Sequence, residues 1–217
     1  MKDQTIQNLF DFYMEAEKLK RTLRHSWTSD SNRQESTAEH SWMLCLIALT
    51  LFDQLKVKID QLKVVKILII HDLAEAIVGD IPAFDVKRRK DKKEREHAAM
   101  KLLVKALPDK TKNEFQSLLE EYDEMETIEA KVAQAIDKFE SPLQHNISNI
   151  STWDQNDFDI HGLYKINYFM FDAFLAMLRE ELETMTRKKV TKANKLDHFR
   201  PEIKEMYTKL NKKEETK

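Results

Sequence analysis

Residues 62–82 read LKVVKILIIHDLAEAIVGDIP, and the fold class turns on whether the apolar part is helix or strand. Taken alone, Val64-Val65-Lys66-Ile67-Leu68-Ile69-Ile70 favours a strand, because β-branched residues suit a pleated surface. The apolar character nevertheless runs on past His71 and Asp72 to Val78, longer than an ordinary strand. The rest of the chain decides for helix. Its 217 residues hold only two glycines, Gly79 and Gly162, and four prolines, where average glycine usage is about 7%. A β-rich fold would have few residues from which to build its tight turns. The expected fold class is all-α, with Leu62–Val78 one helix ended by Gly79 and Pro82.

Working outward, Ile6, Leu9, Phe10, Tyr13 and Met14 recur at helical spacing and predict an amphipathic first helix that fades near Leu23. Residues 26–36 are polar and read as a loop. Ser36-Thr37-Ala38-Glu39 offers a capping box, which sets His40 in the first turn of the next helix. That helix, Trp42–Leu55, is apolar on most sides and is expected to be buried. The charge-dense stretch 86–96 reads as solvated. Helical spacing continues through Ala98–Ala106, around Phe115–Leu119, over Thr127–Glu140 and over Leu163–Arg187, with a polar loop after Pro142. Pro201 opens a last helix. One domain is expected over 1–217, with a core of about 5–145 and a helical extension of about 146–217.

Formal net charge is −2 with 34% charged residues of mixed sign. That pattern gives no field for nucleic acid or for a membrane surface. The longest apolar run, Met43–Phe52, falls short of the roughly 20 residues needed to span a bilayer. Cys45 is the only cysteine, and the first eight residues carry no signal-peptide core. A reducing cytoplasm is the expected location.

The chemistry lies in His71-Asp72, at the polar end of an apolar helix. Burying an imidazole and a carboxylate there is unfavourable without a partner. A divalent cation would be one. His40 can bring a second imidazole from a neighbouring helix, and Asp137 a second carboxylate from a third. Two His and two Asp suit Mn, Fe, Co, Ni or Zn better than Ca or Mg. Taken singly, each has a plainer reading: a hydrogen-bonded core histidine or a solvent-facing helical acid.

In order and spacing, His40, His71-Asp72 and Asp137 resemble the HD-domain superfamily. The string His71-Asp72-Leu-Ala-Glu75-Ala-Ile-Val-Gly79-Asp80-Ile-Pro82 resembles its 5′-deoxynucleotidase branch, as do Leu19-Lys20 with Arg24 and Ala38-Glu39-His40-Ser41. The resemblance covers about Phe12–His145. It implies a helical bundle around a central metal site, with His40, His71, Asp72 and Asp137 holding one divalent ion. Glu75 is implied as the catalytic carboxylate beside Asp72, and Arg24 as the arginine that orients the phosphate. Asp80 is implied near the sugar, with Ile81, Pro82 and Ala83 in a substrate-contacting loop. His25 stands where the family can place Trp, which leaves base and sugar preference open.

The expected activity is hydrolysis of phosphate monoesters, foremost 2′-deoxynucleoside 5′-monophosphates, with a small-molecule nucleotide as partner and a homodimer as the assembly. Its rivals are an HD enzyme acting on a triphosphate, cyclic nucleotide or guanosine polyphosphate, and a non-catalytic nucleotide-sensing domain.

Overall fold

The computed structural model describes residues 4–162 and 165–215. It is helical throughout apart from one short hairpin. The first helix, α1 (Gln4–Ala16), gives way to a 3₁₀ turn over 17–21 and then to β1 (Leu23–Trp27), which pairs antiparallel with β2 (Gln34–Ser36). The sequence reading misses this hairpin, taking 26–36 as loop. Its register explains why: Leu23 faces Ser36 and Trp27 faces Gln34, so β1 advances four residues while β2 advances two. The surplus residues bulge out of the ladder, and no period-two alternation survives in the sequence. Arg24, His25 and Ser26 lie in that bulge, where bulges commonly re-aim side chains toward a site.

Ser36 ends β2 and caps α2 (Thr37–Leu51): its hydroxyl accepts from the Glu39 amide at 3.3 Å and its own amide donates to Glu39 Oε2 at 2.9 Å. The capping box thus stands where the sequence puts it. The helix is buried on one side only, a correction to the expectation of burial all round. Leu44, Ile47, Ala48 and Leu51 face the core, while Trp42, Leu46 and Leu49 are exposed. Next comes α3 (Gln61–Ile70), capped by Asp60 through the Lys63 amide at 3.0 Å. Its Val64, Ile67 and Leu68 are wholly buried, and each such aliphatic side chain is worth about 1.5–3 kcal/mol.

The helix expected to run unbroken to Val78 stops at Ile70. A tighter turn over 71–74 leads into α4 (Glu75–Val78), with the Leu73 amide on Ile70 O and the Glu75 amide on Asp72 O, both at 3.0 Å. Gly79 ends α4 at φ 74°, ψ 162°, a region essentially restricted to glycine. Gly79→Ala should therefore cost about 1–3 kcal/mol in a urea titration, although nothing lies within 4 Å of the added Cβ.

After α5 (Val86–Arg89), α6 (Lys92–Leu103) and α7 (Asp109–Glu124) comes the central α8 (Ile128–Ile147). Helices α2, α3, α7 and α10 (Ala173–Lys192) pack around it. The polar loop expected after Pro142 is instead the last turn of α8. Pro142 sits inside the helix and removes one backbone bond, but Gln144, His145 and Asn146 are buried around it and hold the helical course. Lys189 of α10 donates to the carbonyls of His145, Asn146 and Ser148, which closes that helix end.

Helix α9 (Gln155–Ile160) and α11 (Pro201–Glu215) complete the chain. The long helix expected from Leu163 begins at Ala173, and residues 163–164 lie outside the described residues. Phe169, Leu175 and Leu182 join the main core, whereas Trp153, Phe158, Val190, Phe199, Ile203 and Tyr207 form a second, smaller cluster.

Candidate metal centre and active site

Four elements deliver the polar groups of one site: the first turn of α2 brings His40, the 71–74 turn brings His71 and Asp72, α4 brings Glu75, and α8 brings Asp137. A continuous α-helix would point His71 and Asp72 about 100° apart. In the tightened turn His71 Nε2 lies 3.2 Å from Asp72 Oδ2. His40 Nε2 lies 3.8 Å from Asp72 Oδ2 and 3.3 Å from Asp137 Oδ1. All four residues are buried, His40 completely.

The imidazole orientations carry the argument for a cation. His40 gives its Nδ1 to Glu140 Oε2 at 2.6 Å, and His71 gives its Nδ1 to the Leu68 carbonyl at 3.0 Å. Those partners fix both rings with Nε2 toward the other donors, as outer carboxylates and carbonyls do for metal-bound histidines. Yet His40 Nε2 and His71 Nε2 are both buried without a hydrogen bond, a costly arrangement unless something else satisfies them. One donor atom each from His40, His71 and Asp72 falls within 4.8 Å of the others. Neighbouring ligands on an ion bound at about 2.0–2.2 Å sit roughly 3 Å apart, so these residues fit a divalent cation with little movement.

The electrostatics agree. Burial favours the neutral form of Asp137, but Lys138, His40 and His71 outweigh it and hold the carboxyl well below its ordinary range. Asp72 is likewise held low, burial being overcome chiefly by His71. Tyr122 donates to Asp137 Oδ2 at 2.5 Å. For His40, burial and the Arg24 charge oppose protonation, yet Glu140 and Asp137 prevail and lift its pKa to about 10. The sign of the linkage follows. In ion-free protein, His40 adds stability that is complete below its unfolded pKa near 6.5 and is lost as pH rises through about 10. A cation at Nε2 must displace that proton, so its affinity should rise with pH by up to about tenfold per unit above 7. Calorimetric titration of Mn²⁺ at two pH values, in buffers of different ionisation enthalpy, would read both the slope and the released proton.

A cavity of about 530 Å³ opens beside these groups. His71, Asp72, Glu75 and Asp137 line it, as do Arg24, His25, Asp80, Ile81, Pro82 and Ala83. Every candidate site residue read from the sequence therefore borders the cavity except His40, which lies behind its wall. Arg24 is threaded among acids: Nε is 3.4 Å from Glu35, Nη1 is 3.6 Å from Asp72, and Nη2 donates to Ser141 at 3.0 Å. Burial disfavours its charge, but Asp80, Glu140, Asp72 and Glu35 more than offset that, and its pKa rises. Glu35 is pushed up to about 7 by burial and by Glu140. His25 Nε2 bonds Asp157 Oδ1 at 3.1 Å, and the same oxygen lies 3.0 Å from His145 Nδ1. The Asp157 bond is the largest influence raising the His25 pKa.

Glu75 is 2% exposed. Its Oε2 accepts from the Thr37 hydroxyl at 3.0 Å, and Oε1 faces Lys92 Nζ at 3.7 Å. Burial, with Asp72 and Asp80, raises its pKa well above the ordinary carboxyl value, against Lys92 and Arg24. Sequence reading missed several groups here. Glu140 is three residues from Asp137 on the same helical face, a spacing that could have found it. Lys92 was hidden in a charge run read as solvated; it lines the cavity instead, because α6 packs on α4 and leaves its side chain 17% exposed. His145 and His161 are buried and also line the cavity.

Comparison with known proteins places these groups in a lineage. An HD domain family model matches residues 16–177. The 5′-deoxynucleotidase HDDC2 of Bos taurus is 34% identical over 139 residues, 64% of this chain and 66% of that protein. Its Homo sapiens counterpart is 32% identical over 139 residues, 64% of this chain and 67% of that protein. The chain thus spans about two thirds of the length of these relatives. A solved structure described as a predicted metal-dependent phosphohydrolase from Magnetospirillum magnetotacticum superposes with a TM-score of 0.77 at 27% identity, covering 91% of this chain and 97% of that one. With three quarters of its length matched by the family model, and with its helices arranged as in that phosphohydrolase, the chain belongs to the HD domain family.

Proposed function

We propose that the protein is a metal-dependent phosphomonoesterase whose substrates are 2′-deoxynucleoside 5′-monophosphates. The observation that carries this reading is the pair of buried, unpartnered Nε2 atoms of His40 and His71 facing the Asp72 and Asp137 carboxylates beside a nucleotide-sized cavity. The relatives named as 5′-deoxynucleotidases support the substrate class. His40, His71, Asp72 and Asp137 hold one divalent ion, drawn by their mixed donors from Mn, Co, Fe, Ni and Zn. When bound, that ion supplies Lewis acidity, drawing charge from the phosphoryl group and favouring ionisation of water.

The chain's own groups do the rest. Arg24 stays charged at the cavity wall, where its planar fork meets the phosphoryl oxygens. Burial and the neighbouring acids Asp72 and Asp80 favour the protonated form of Glu75, which suits it to protonate the ester oxygen as the P–O5′ bond breaks. The proton lost by the attacking water balances the one delivered, and the products are deoxynucleoside and inorganic phosphate. Asp80 and the Ile81-Pro82-Ala83 segment meet the sugar, and His25 flanks Arg24 over the cavity. The chain acts as one HD-type domain, since Phe169, Leu175 and Leu182 from beyond residue 145 pack into the main core. We place the enzyme in the cytoplasm as a homodimer, without nucleic-acid or membrane partners; no helix among the described residues is long and apolar enough to cross a membrane.

The test is a panel of phosphate esters assayed with Mn²⁺ and Co²⁺. Release of phosphate from deoxynucleoside monophosphates ahead of ribonucleotides, triphosphates and cyclic nucleotides is the expected result. Cleavage confined to diesters or triphosphates would replace the substrate assignment.

A further inference from the structure

Lys92 is out of place by the ordinary rules of helix construction. It is the first residue of α6, where the helix dipole disfavours a cation. Its side chain is only 17% exposed, though a lysine gives up hydration when buried. It bonds Glu96 one turn on, but a Lys that precedes its Glu by four residues is the weaker orientation for supporting a helix. Helix stability does not account for the residue.

The surroundings do. Three first-turn residues meet at one carboxylate: Thr37 of α2, Glu75 of α4 and Lys92 of α6. Thr37 donates to Glu75 Oε2 at 3.0 Å, and Lys92 Nζ lies 3.7 Å from Oε1. Glu96, itself 8% exposed at the side chain, holds the ammonium from behind. Glu75, Lys92 and Glu96 border the cavity. The two oxygens of Glu75 are therefore distinguished, one fixed by a neutral hydroxyl and the other faced by a cation that is anchored in turn.

From this we infer that Lys92, anchored by Glu96, is a positioning residue that aims Glu75 Oε1 at the reacting phosphate ester. The inference rests on the catalytic assignment of Glu75 above. Thr37 bonds one oxygen of the carboxyl and the anchored Lys92 charge faces the other, so its rotation is biased before substrate arrives; such preorganisation matters because small misplacements of a catalytic group cost rate steeply. Lys92 acts through Glu75 and carries no proton in the reaction.

The experiment compares wild type with Lys92→Met, Lys92→Arg and Glu96→Gln, using p-nitrophenyl phosphate alongside dCMP. It reads kcat, KM, bound metal and melting temperature. A displaced acid should lower kcat of Lys92→Met about 100-fold on both esters. KM should stay within about threefold, since ground-state binding is untouched, and metal content should not change. Lys92→Arg should recover at least about tenfold of that loss, and Glu96→Gln should lower kcat about tenfold by freeing the ammonium. Wild-type kcat in Lys92→Met overturns the inference. So does a rise in KM at constant kcat, which would make Lys92 a direct phosphate ligand. Equal loss in the Met and Arg variants together with lost metal and a lowered melting temperature would make it structural, and also overturns it. If Lys92→Met does not fold, Glu96→Gln decides by the same split. Wild-type cleavage of p-nitrophenyl phosphate but not dCMP would remove the nucleotide assignment, while the variant ratios would still read Lys92.

Discussion

Asp72→Ala should abolish turnover and strip the protein of its ion together. Asp72 Oδ2 is the common neighbour of the site: His71 Nε2 at 3.2 Å, Arg24 Nη1 at 3.6 Å and His40 Nε2 at 3.8 Å all face it. Removing it takes an anionic donor from the set and leaves a buried guanidinium short of a counter-charge. Turnover should fall by at least about 1,000-fold, the upper scale for loss of one transition-state-stabilising group. Uncompensated charge left by such a truncation costs roughly 3–5 kcal/mol, so Asp72→Asn, which keeps the shape, is the control for folding. Metal content by elemental analysis, kcat on a deoxynucleoside monophosphate and thermal melting give the three readouts. Retention of both ion and activity in Asp72→Ala would sink the ligand assignment.

Glu75→Gln should separate chemistry from metal binding. The amide keeps the volume and can still accept from Thr37, and Glu75 is not among the four groups assigned to the ion. Metal content should match wild type while kcat drops by about 10²–10⁴, the range for losing a general acid or base. Stability should move the opposite way. The buried Glu75 carboxyl, crowded by Asp72 and Asp80, resists ionisation, whereas a neutral amide escapes that penalty. A melting temperature equal to or above wild type is expected, the usual exchange of activity for stability at a strained site. Full activity in this variant would remove Glu75 from the mechanism and with it the role inferred for Lys92.

The helical class and the elements that carry the candidate ligands could be read directly because each left a local mark. Scarce glycine excluded a turn-rich fold, Ser36 and Glu39 marked the start of α2, and Ile128, Val132, Ala135, Ile136 and Phe139 set the phase of α8. What escaped was set by tertiary packing. The 71–74 turn breaks a run of helix formers with no glycine or proline to announce it. The bulge in β1 erases the alternation by which a strand is recognised. Pro142 reads as a stop, but burial of Gln144, His145 and Asn146 carries α8 past it. Trp42, Leu46 and Leu49 are apolar yet exposed, so hydrophobicity alone overstated how deeply α2 sits. Lys92 and Glu96 belong to a mixed-charge run whose pattern fits a solvated face, and only the packing of α6 on α4 turns them inward.

Asp157 has a bearing on how far this protein can be shortened. Its Oδ1 meets His25 at 3.1 Å and His145 at 3.0 Å, while its Oδ2 accepts from the Asp154 amide at 2.8 Å within the α9 capping box. One carboxylate from α9 thus ties the bulged strand to the end of the central helix, across the rim next to Arg24. A minimal fragment trimmed back to the HD motif residues would strand two imidazoles facing each other with no anion between them. Miniaturisation of this enzyme therefore has to keep α9, however peripheral its place in the chain makes it look.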